Sequence, residues 1–389
     1  MLHQQLRKRL FLIQLACAAV VMSSLSFAQT QPFRVGLVLP MTGPFASTGR
    51  QIDAAVKLYL MENGTEVAGR KVEVVLRDDG GVPDQSKRIA QELVVNDKVD
   101  VLAGFGITPS ALAVGPIATQ SKTPAVIMAA ATSGIVASSP FLVRTSYTLS
   151  QTAGTMAEWV KRQKIDRVMT MVSDYGPGID AEKTFKDHVT RDGGKVVGEI
   201  RVPMRNPDFA PFLQKVRDEK PEALFVFIPS GPAVTLMKQF LERGLDKAGI
   251  KLIGDGGVTD DDTLNEMGDS ALGIVTSFHY SAAHDSAMNK KFTAGFAKAN
   301  NGMRPNFMAV GGYDGMHAIY AALKATKGQG KGMELVDAMK GLSFESPRGG
   351  VQINAQSRDI VQDIYIRKVE RKNGQLWNTE IDVVKAVNP

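Results

Sequence analysis

Cysteine is almost missing from this chain of 389 residues: Cys17 is the only one, and it sits in an apolar segment near the start. Thiol redox chemistry, cysteine-ligated zinc and disulfide staples are therefore excluded from everything that follows it. A second long apolar run is also missing, so nothing beyond the opening segment reads as a membrane span. There is no basic block either. The net charge of +6 is scattered along the chain without a basic–aromatic patch, which leaves nucleic-acid binding unsupported.

The opening segment has its own logic. Arg7, Lys8 and Arg9 precede an apolar stretch from Leu10 to Met22 that only Gln14 interrupts. Ser26-Phe27-Ala28 then offers small residues where a signal peptidase reads them. This pattern predicts a secretory signal over residues 1–28, cleaved before Gln29, and export to the periplasm. Gln14 stands where lipid attachment at Cys17 would want an aliphatic residue, so no lipid anchor is expected. Cleavage removes three cations and no acid, taking +6 to +3. A chain of this length without disulfides must hold itself together through its core, and it is long enough to do so.

Catalytic signatures are missing as well. There is no Gly-x-Ser-x-Gly elbow, no His-Glu-x-x-His pair, no phosphate loop and no complete Gly-x-Gly-x-x-Gly. The four histidines beyond the leader, His188, His279, His284 and His317, have no metal-ligand spacing and read as surface or satisfied structural residues. No enzyme activity, metal or cofactor is expected.

What is present is an alternation of short apolar runs with amphipathic segments. Strands are predicted at Phe33–Leu39, Val72–Leu76, Val99–Ala103 and Pro124–Met128, and again at Arg167–Val172, Ala223–Ile228 and Lys251–Ile253. Helices are predicted between them, for example over Arg50–Met61, Asp84–Val95, Ser110–Gln120 and Asp180–Arg191. Apolar strands separated by helices argue for parallel sheets covered on both faces. The number of βα units exceeds one compact sheet, and no Pro/Ser-rich linker divides the chain. The expectation is an α/β protein of two doubly wound parallel-sheet lobes joined by a three-crossing hinge. The crossings are placed near Arg144-Thr145-Ser146, Ser277-Phe278 and Gly349–Val351. Residues 29–145 and 278–350 then form the N-terminal lobe, and 146–277 with 351–389 the C-terminal lobe.

In open parallel sheets, ligands bind beyond the carboxyl ends of the strands. After Val99–Ala103 comes Gly104-Phe105-Gly106-Ile107-Thr108-Pro109, with Thr108 placed as an N-cap and Pro109 as the first helical residue. It is either a structural cap or a seat for an anion. After Pro124–Met128 comes Ala129-Ala130-Ala131-Thr132-Ser133, where small side chains let backbone approach a ligand and hydroxyls stand alongside; tight packing is the other reading. In the second half, Tyr175 sits in Asp174-Tyr175-Gly176-Pro177-Gly178, read as an irregular turn, either as a buried structural ring or as a ligand contact. Ser230 follows the strand at Ala223–Ile228. Asp255 follows Lys251–Ile253, able to meet a cation, meet a hydroxyl, or merely cap the next segment.

Taken in order, these segments resemble the Leu/Ile/Val-binding type of periplasmic binding protein. The resemblance rests on Gly36-Leu37-Val38-Leu39-Pro40-Met41-Thr42-Gly43-Pro44-Phe45-Ala46, on Asp78-Asp79 with Asp84, on Pro124–Thr132, on Asp174-Tyr175-Gly176 and on Tyr313-Asp314. It covers essentially the whole chain after the leader. It implies a two-lobed receptor of an ABC importer that closes on a small carboxylate-bearing solute and delivers it to an inner-membrane permease. By the same resemblance Thr108, Ala130 and Thr132 hold the carboxylate and Tyr175 is the aromatic contact from the second lobe; the protein is expected to be a monomer. One departure stands out. Amino-acid binders of this type carry an acid for the ligand's ammonium at the position of Gly256, whereas this chain has its acid one residue earlier, at Asp255. The carboxylate half of the site is kept and the ammonium half altered. An aromatic acid is therefore expected in preference to an amino acid, with a branched-chain or other hydrophobic amino acid as the alternative. A sensory ligand-binding protein reporting to a membrane receptor is the competing reading of another class.

Overall fold

The computed structural model describes residues 31–204 and 207–389; the expected signal segment, 1–28, lies outside the described residues. The first part of the chain runs β1 (Phe33–Leu39), α1 (Ala46–Asn63), β2 (Glu66–Val67), β3 (Arg70–Asp78), α2 (Pro83–Val95), β4 (Val101–Gly104), α3 (Thr108–Ser121), β5 (Ala125–Ile127) and β6 (Leu142–Arg144). There follow α4 (Leu149–Arg162), β7 (Arg167–Ser173), α5 (Gly176–Arg191), β8 (Lys195–Val202), α6 (Ala210–Glu219), β9 (Ala223–Phe227), α7 (Ser230–Glu242), β10 (Lys251–Asp255), α8 (Leu264–Met267) and β11 (Val275–Phe278). The last part comprises α9 (Ala287–Ala299), α10 (Phe307–Ala325), α11 (Met333–Met339) and strands β12 (Ser343–Ser346), β13 (Gly349–Ile353), β14 (Ile360–Lys372) and β15 (Gln375–Val387).

These strands form two sheets with the same plan. The first has the order β2-β3-β1-β4-β5-β6, parallel except for the short β2. The parallel part of the second has the order β8-β7-β9-β10-β11. In both, the first parallel strand lies between the second and third parallel strands in chain order, β1 between β3 and β4 and β7 between β8 and β9. The winding therefore reverses beside the first strand, and a crevice opens at its carboxyl end. The buried runs explain the placement: β1 buries six of its seven residues and β7 six of its seven, as strands covered on both faces must. Each buried aliphatic side chain contributes roughly 1.5–3 kcal/mol, which is how a chain without disulfides stays folded.

The second sheet departs from a purely parallel plan. Beyond β11 it is extended by antiparallel pairing with β14, which in turn carries β13 and β15. The hairpin β12–β13 pairs into this sheet, although residues up to 350 were expected with the first lobe. By sheet membership the third transit thus falls before Ser343, earlier than the sequence suggested. Helices α9 and α10 pack on α1, so the chain has returned to the first lobe after Phe278. The transits are tied together by Arg348, which is buried, pairs with Asp314 at 2.9 Å and donates to the carbonyl of Ser146 at 2.8 Å. Among the described residues no helix is long and apolar enough to cross a membrane.

Candidate functional site

The two crevices face one another and enclose a cavity of about 230 Å³. On the first wall, Gly104 leaves β4 with φ +106°, and a Cβ there would stand 2.4 Å from the carbonyl oxygen of Val38. Only glycine lets the loop turn this closely over β1. Helix α3 then begins at Thr108 itself; Ile107 is the N-cap and no side chain caps it. The sequence reading was off by one residue here, and the consequence is chemical. Relieved of capping, the Thr108 hydroxyl points across to Thr132, with 2.9 Å between the two Oγ1 atoms.

Ala130 has a different role from the one expected of it. Its N–H donates to the carbonyl of Phe105 (3.1 Å), while its own carbonyl accepts from Arg144 Nη1 and Ser146 Oγ, both at 3.3 Å. Its backbone is thus engaged within the protein, and what it offers the cavity is a small wall. Thr108, Ala130, Tyr175, Ser230 and Asp255 all line the cavity. Thr132 is not on its surface and reaches it through Thr108.

The second wall is aromatic and acidic. Tyr175 is the N-cap residue of α5, so the Gly176-Pro177-Gly178 stretch read as an irregular turn is the first turn of that helix. Its ring lies 6.3 Å from that of Phe227. Ser230, which follows β9, is the first residue of α7. Asp255 caps the short turn after β10: Oδ1 accepts from the Gly257 N–H at 2.9 Å, while the buried Oδ2 has no hydrogen-bond partner among the described residues. Burial pushes this carboxyl up to about 6, against the opposing pull of the Gly257 N–H, the Thr152 hydroxyl and Arg367. Asp260, also on the cavity, is pushed up to about 7 by burial; it accepts from Asn306 Nδ2 at 3.0 Å and from the Asp262 N–H at 3.2 Å. Burial, followed by the nearby Asp255 charge, raises the Tyr175 and Tyr147 phenols, so both rings are neutral hydroxyls at any physiological pH.

Several cavity residues gave no sign in the sequence. Tyr147, just past the first transit, stacks on His279 at 4.5 Å and meets Phe307 edge-on at 6.0 Å. His279 is fully buried, and neither ring nitrogen has a hydrogen-bond partner among the described residues; burial pushes its pKa down, so it is a neutral platform behind Tyr147. Phe307 and Asn306 arrive from the start of α10, far along the chain. Position along the chain, immediately after a transit, is the one signal that could have marked Tyr147.

Two buried arginines lie beneath the ligand loops. Arg144 touches Asp359 at 2.6 Å and donates to the carbonyls of Ala130, Tyr147 and Thr132. Arg367 donates to the carbonyls of Gly256 and Tyr280 and to the Thr276 hydroxyl; its nearest carboxylate, Asp261, is 3.8 Å away. A Cβ at Gly256 would meet Phe278 Cγ at 2.2 Å and Arg367 Nη2 at 2.5 Å. Among the described residues, no lysine, arginine or histidine lines the cavity itself. The walls are bridged across the cleft by Ser133 N–H to Asp180 (2.8 Å) and Ser47 Oγ to Asp262 (2.9 Å).

Residues 32–375 match the family model described as periplasmic binding protein. A Leu/Ile/Val-binding protein homolog of Brucella melitensis is 43% identical over 95% of this chain and 96% of its own length. A solute-binding protein of an ABC transporter from Rhodopseudomonas palustris BisB5, solved with 3,4-dihydroxybenzoic acid, is 57% identical. It covers 92% of this chain and 98% of its own, with a TM-score of 0.89. A second R. palustris solute-binding protein, solved with 4-hydroxybenzoate, is 38% identical with the same coverage and a TM-score of 0.87.

Proposed function

Because the chain belongs to the periplasmic binding protein family and is a solute-binding protein of an ABC transporter, we propose that its ligand is an aromatic carboxylate without an α-amine. The observation that carries this reading is at Gly256. The resemblance puts the ammonium-binding acid of amino-acid receptors at this position. Here the space a side chain would need is filled by Phe278 and the Arg367 guanidinium. An acid cannot be accommodated there, and a cation has taken its place. A ligand ammonium ~5 Å from that guanidinium would be repelled by roughly 3 kcal/mol at an effective dielectric of ~20. A ligand lacking the amine avoids the penalty.

The rest of the site supports the same reading. The Thr108 hydroxyl, held by Thr132, faces the cavity at the start of α3, where a carboxylate is favoured by the helix terminus. Phe45, Tyr147, Tyr175, Phe227 and Phe307 supply aromatic walls, each ring contact adding about 0.5–1.5 kcal/mol beyond burial. Closure of the two lobes about the three transits buries the ligand and presents a closed form to the permease, a hinge motion of familiar kind. Thr108, Ala130, Tyr175, Ser230 and Asp255 are the contacting residues in this reading, with Thr132 orienting Thr108. A branched-chain amino acid is the second reading, favoured by the name of the Brucella relative and by the Asp255 and Asp260 carboxyls on the cavity, which could pair with an ammonium.

The experiment is mass spectrometry of the small molecule released by denaturing protein purified from its native periplasm. An aromatic acid is expected. Recovery of leucine, isoleucine or valine would transfer the assignment to the second reading.

A further inference from the structure

The loop over residues 300–306, between α9 and α10, belongs to the first lobe and yet grips the second. Gln51 of α1, fully buried, holds it from behind: Nε2 donates to the Arg304 carbonyl at 3.0 Å, and Oε1 accepts from the Asn306 N–H at 3.2 Å. From this fixed base the Arg304 side chain crosses to the β14–β15 hairpin. Nη1 donates to the Leu376 carbonyl at 2.8 Å and Nη2 to Gln375 Oε1 at 2.9 Å, while the guanidinium lies 3.8 Å from the centroid of the Trp377 ring. The receiving surface is fixed too. Leu376 is buried in the core of the second lobe, and its N–H donates to Asn265 Oδ1 at 2.8 Å. Two residues on, Asn306 carries the same grip to the edge of the cavity, where Nδ2 donates to Asp260 at 3.0 Å.

We infer that Arg304 is a positioning residue for binding: it latches the closed form of the two lobes from outside the cavity and raises the affinity for every ligand by the same factor. Arg304, Gln375, Leu376 and Trp377 do not line the cavity, so a ligand bound there does not touch them. The latch therefore holds whether the cavity takes an aromatic acid or an amino acid. When the lobes swing apart about the transits, guanidinium, carbonyl and indole face part and return to water. Their reunion favours the closed form, and it is specific in shape, because a planar fork meets two acceptors and lies over one ring. The charges of Asp261 and Asp262 on the second lobe favour the same approach. A ligand's apparent dissociation constant is its intrinsic value divided by the fraction of protein in the competent form. Loss of the latch lowers that fraction and leaves the ranking of ligands alone.

Calorimetric titration of the whole protein and of Arg304→Ala with 4-hydroxybenzoate, benzoate and leucine tests this. Each probe that the unaltered protein binds should bind about tenfold more weakly to Arg304→Ala, the factor being common to all of them. Arg304→Lys, which keeps the charge without the fork, should recover only part of the loss. A merely structural Arg304 would lower the melting temperature of the ligand-free variant and leave its affinities in place. Closure is also read directly. The chain beyond the expected leader has no cysteine, so Arg88→Cys in α2 and Lys183→Cys in α5 take spin labels on opposite lobes. The distance distribution of the ligand-free protein should lose its short component in Arg304→Ala. Unchanged affinity for a probe that binds overturns the inference, as does weakening of one probe but not another. If no probe binds, the aromatic-acid reading falls, and an unchanged distance distribution then overturns this inference as well.

Discussion

Each wall of the cleft is backed by a fully buried arginine, and the two differ in what neutralises them. Under the first wall, Arg144 is in contact with Asp359 at 2.6 Å and spends its remaining donors on three carbonyls of the ligand loops. Under the second, Arg367 also holds backbone carbonyls, but its nearest carboxylate is 3.8 Å away and is itself occupied by Asn378 Nδ2 and the Ala282 N–H. The same device thus serves two ends. Paired, it fixes a loop in place and leaves the wall neutral, so that hydroxyls do the recognising. More distantly paired, it shares the charges of Asp261, Asp255, Glu380 and Asp260, so the second wall stays acidic above a buried guanidinium.

The comparison is broken most severely by removing the guanidiniums. Arg144→Ala takes from the largely buried Asp359 its contacting cation, leaving only the weaker pull of Arg358, and should cost about 3–5 kcal/mol of apo stability, the scale of a broken buried ion pair. Arg367→Ala should cost less, because Asp261 keeps its other two hydrogen-bond donors. Denaturant unfolding of the two variants checks the order. An Arg367→Ala loss equal to or greater than that of Arg144→Ala would mean the second wall is as tightly paired as the first.

The threonines sharpen the first wall on a finer scale. Thr108 lines the cavity and Thr132 supports it from behind. Thr108→Ala should weaken binding of an aromatic carboxylate by about 1.5–3 kcal/mol, the scale of a hydrogen bond to a charged group. Thr132→Ala should weaken it by only ~0.5–1.5 kcal/mol, the scale of a neutral hydrogen bond. Neither should move the apo melting temperature appreciably. If Thr132→Ala proves the more damaging to affinity, Thr132 touches the ligand itself and the cavity wall extends further than described.

The fold was largely readable because periodic apolar strands and intervening helices repeat twice, and a doubly wound plan puts ligand loops at predictable strand ends. Thr108, Ala130, Tyr175, Ser230 and Asp255 were singled out on that basis, and all five line the cavity. The errors are local and have local causes. A β-region Ile107 outcompeted Thr108 as N-cap, and Gly176-Pro177-Gly178 started a helix where glycine and proline suggested a turn. The hairpin β12–β13 was misplaced because its partner strand β14 lies further on in sequence. What could not be read was anything brought in from a distance. Phe307 opens a helix well removed from the other ligand loops. Arg367 sits in a strand among Ile364, Tyr365, Ile366 and Lys368, where a charged side chain reads as solvent-facing. Only tertiary packing turns it inward beneath Gly256. The sequence showed an acid at Asp255 and glycine at 256, but not that Arg367 packs beneath Gly256.

The most direct test of this account is a calorimetric comparison of 4-hydroxybenzoate with leucine on ligand-stripped protein. Both bring a carboxylate to Thr108, and only leucine brings an ammonium towards Arg367. The account predicts saturable binding of 4-hydroxybenzoate and at least a hundredfold weaker binding of leucine, the ratio that roughly 3 kcal/mol of like-charge repulsion implies. Leucine binding as tightly as 4-hydroxybenzoate, or more tightly, would contradict it.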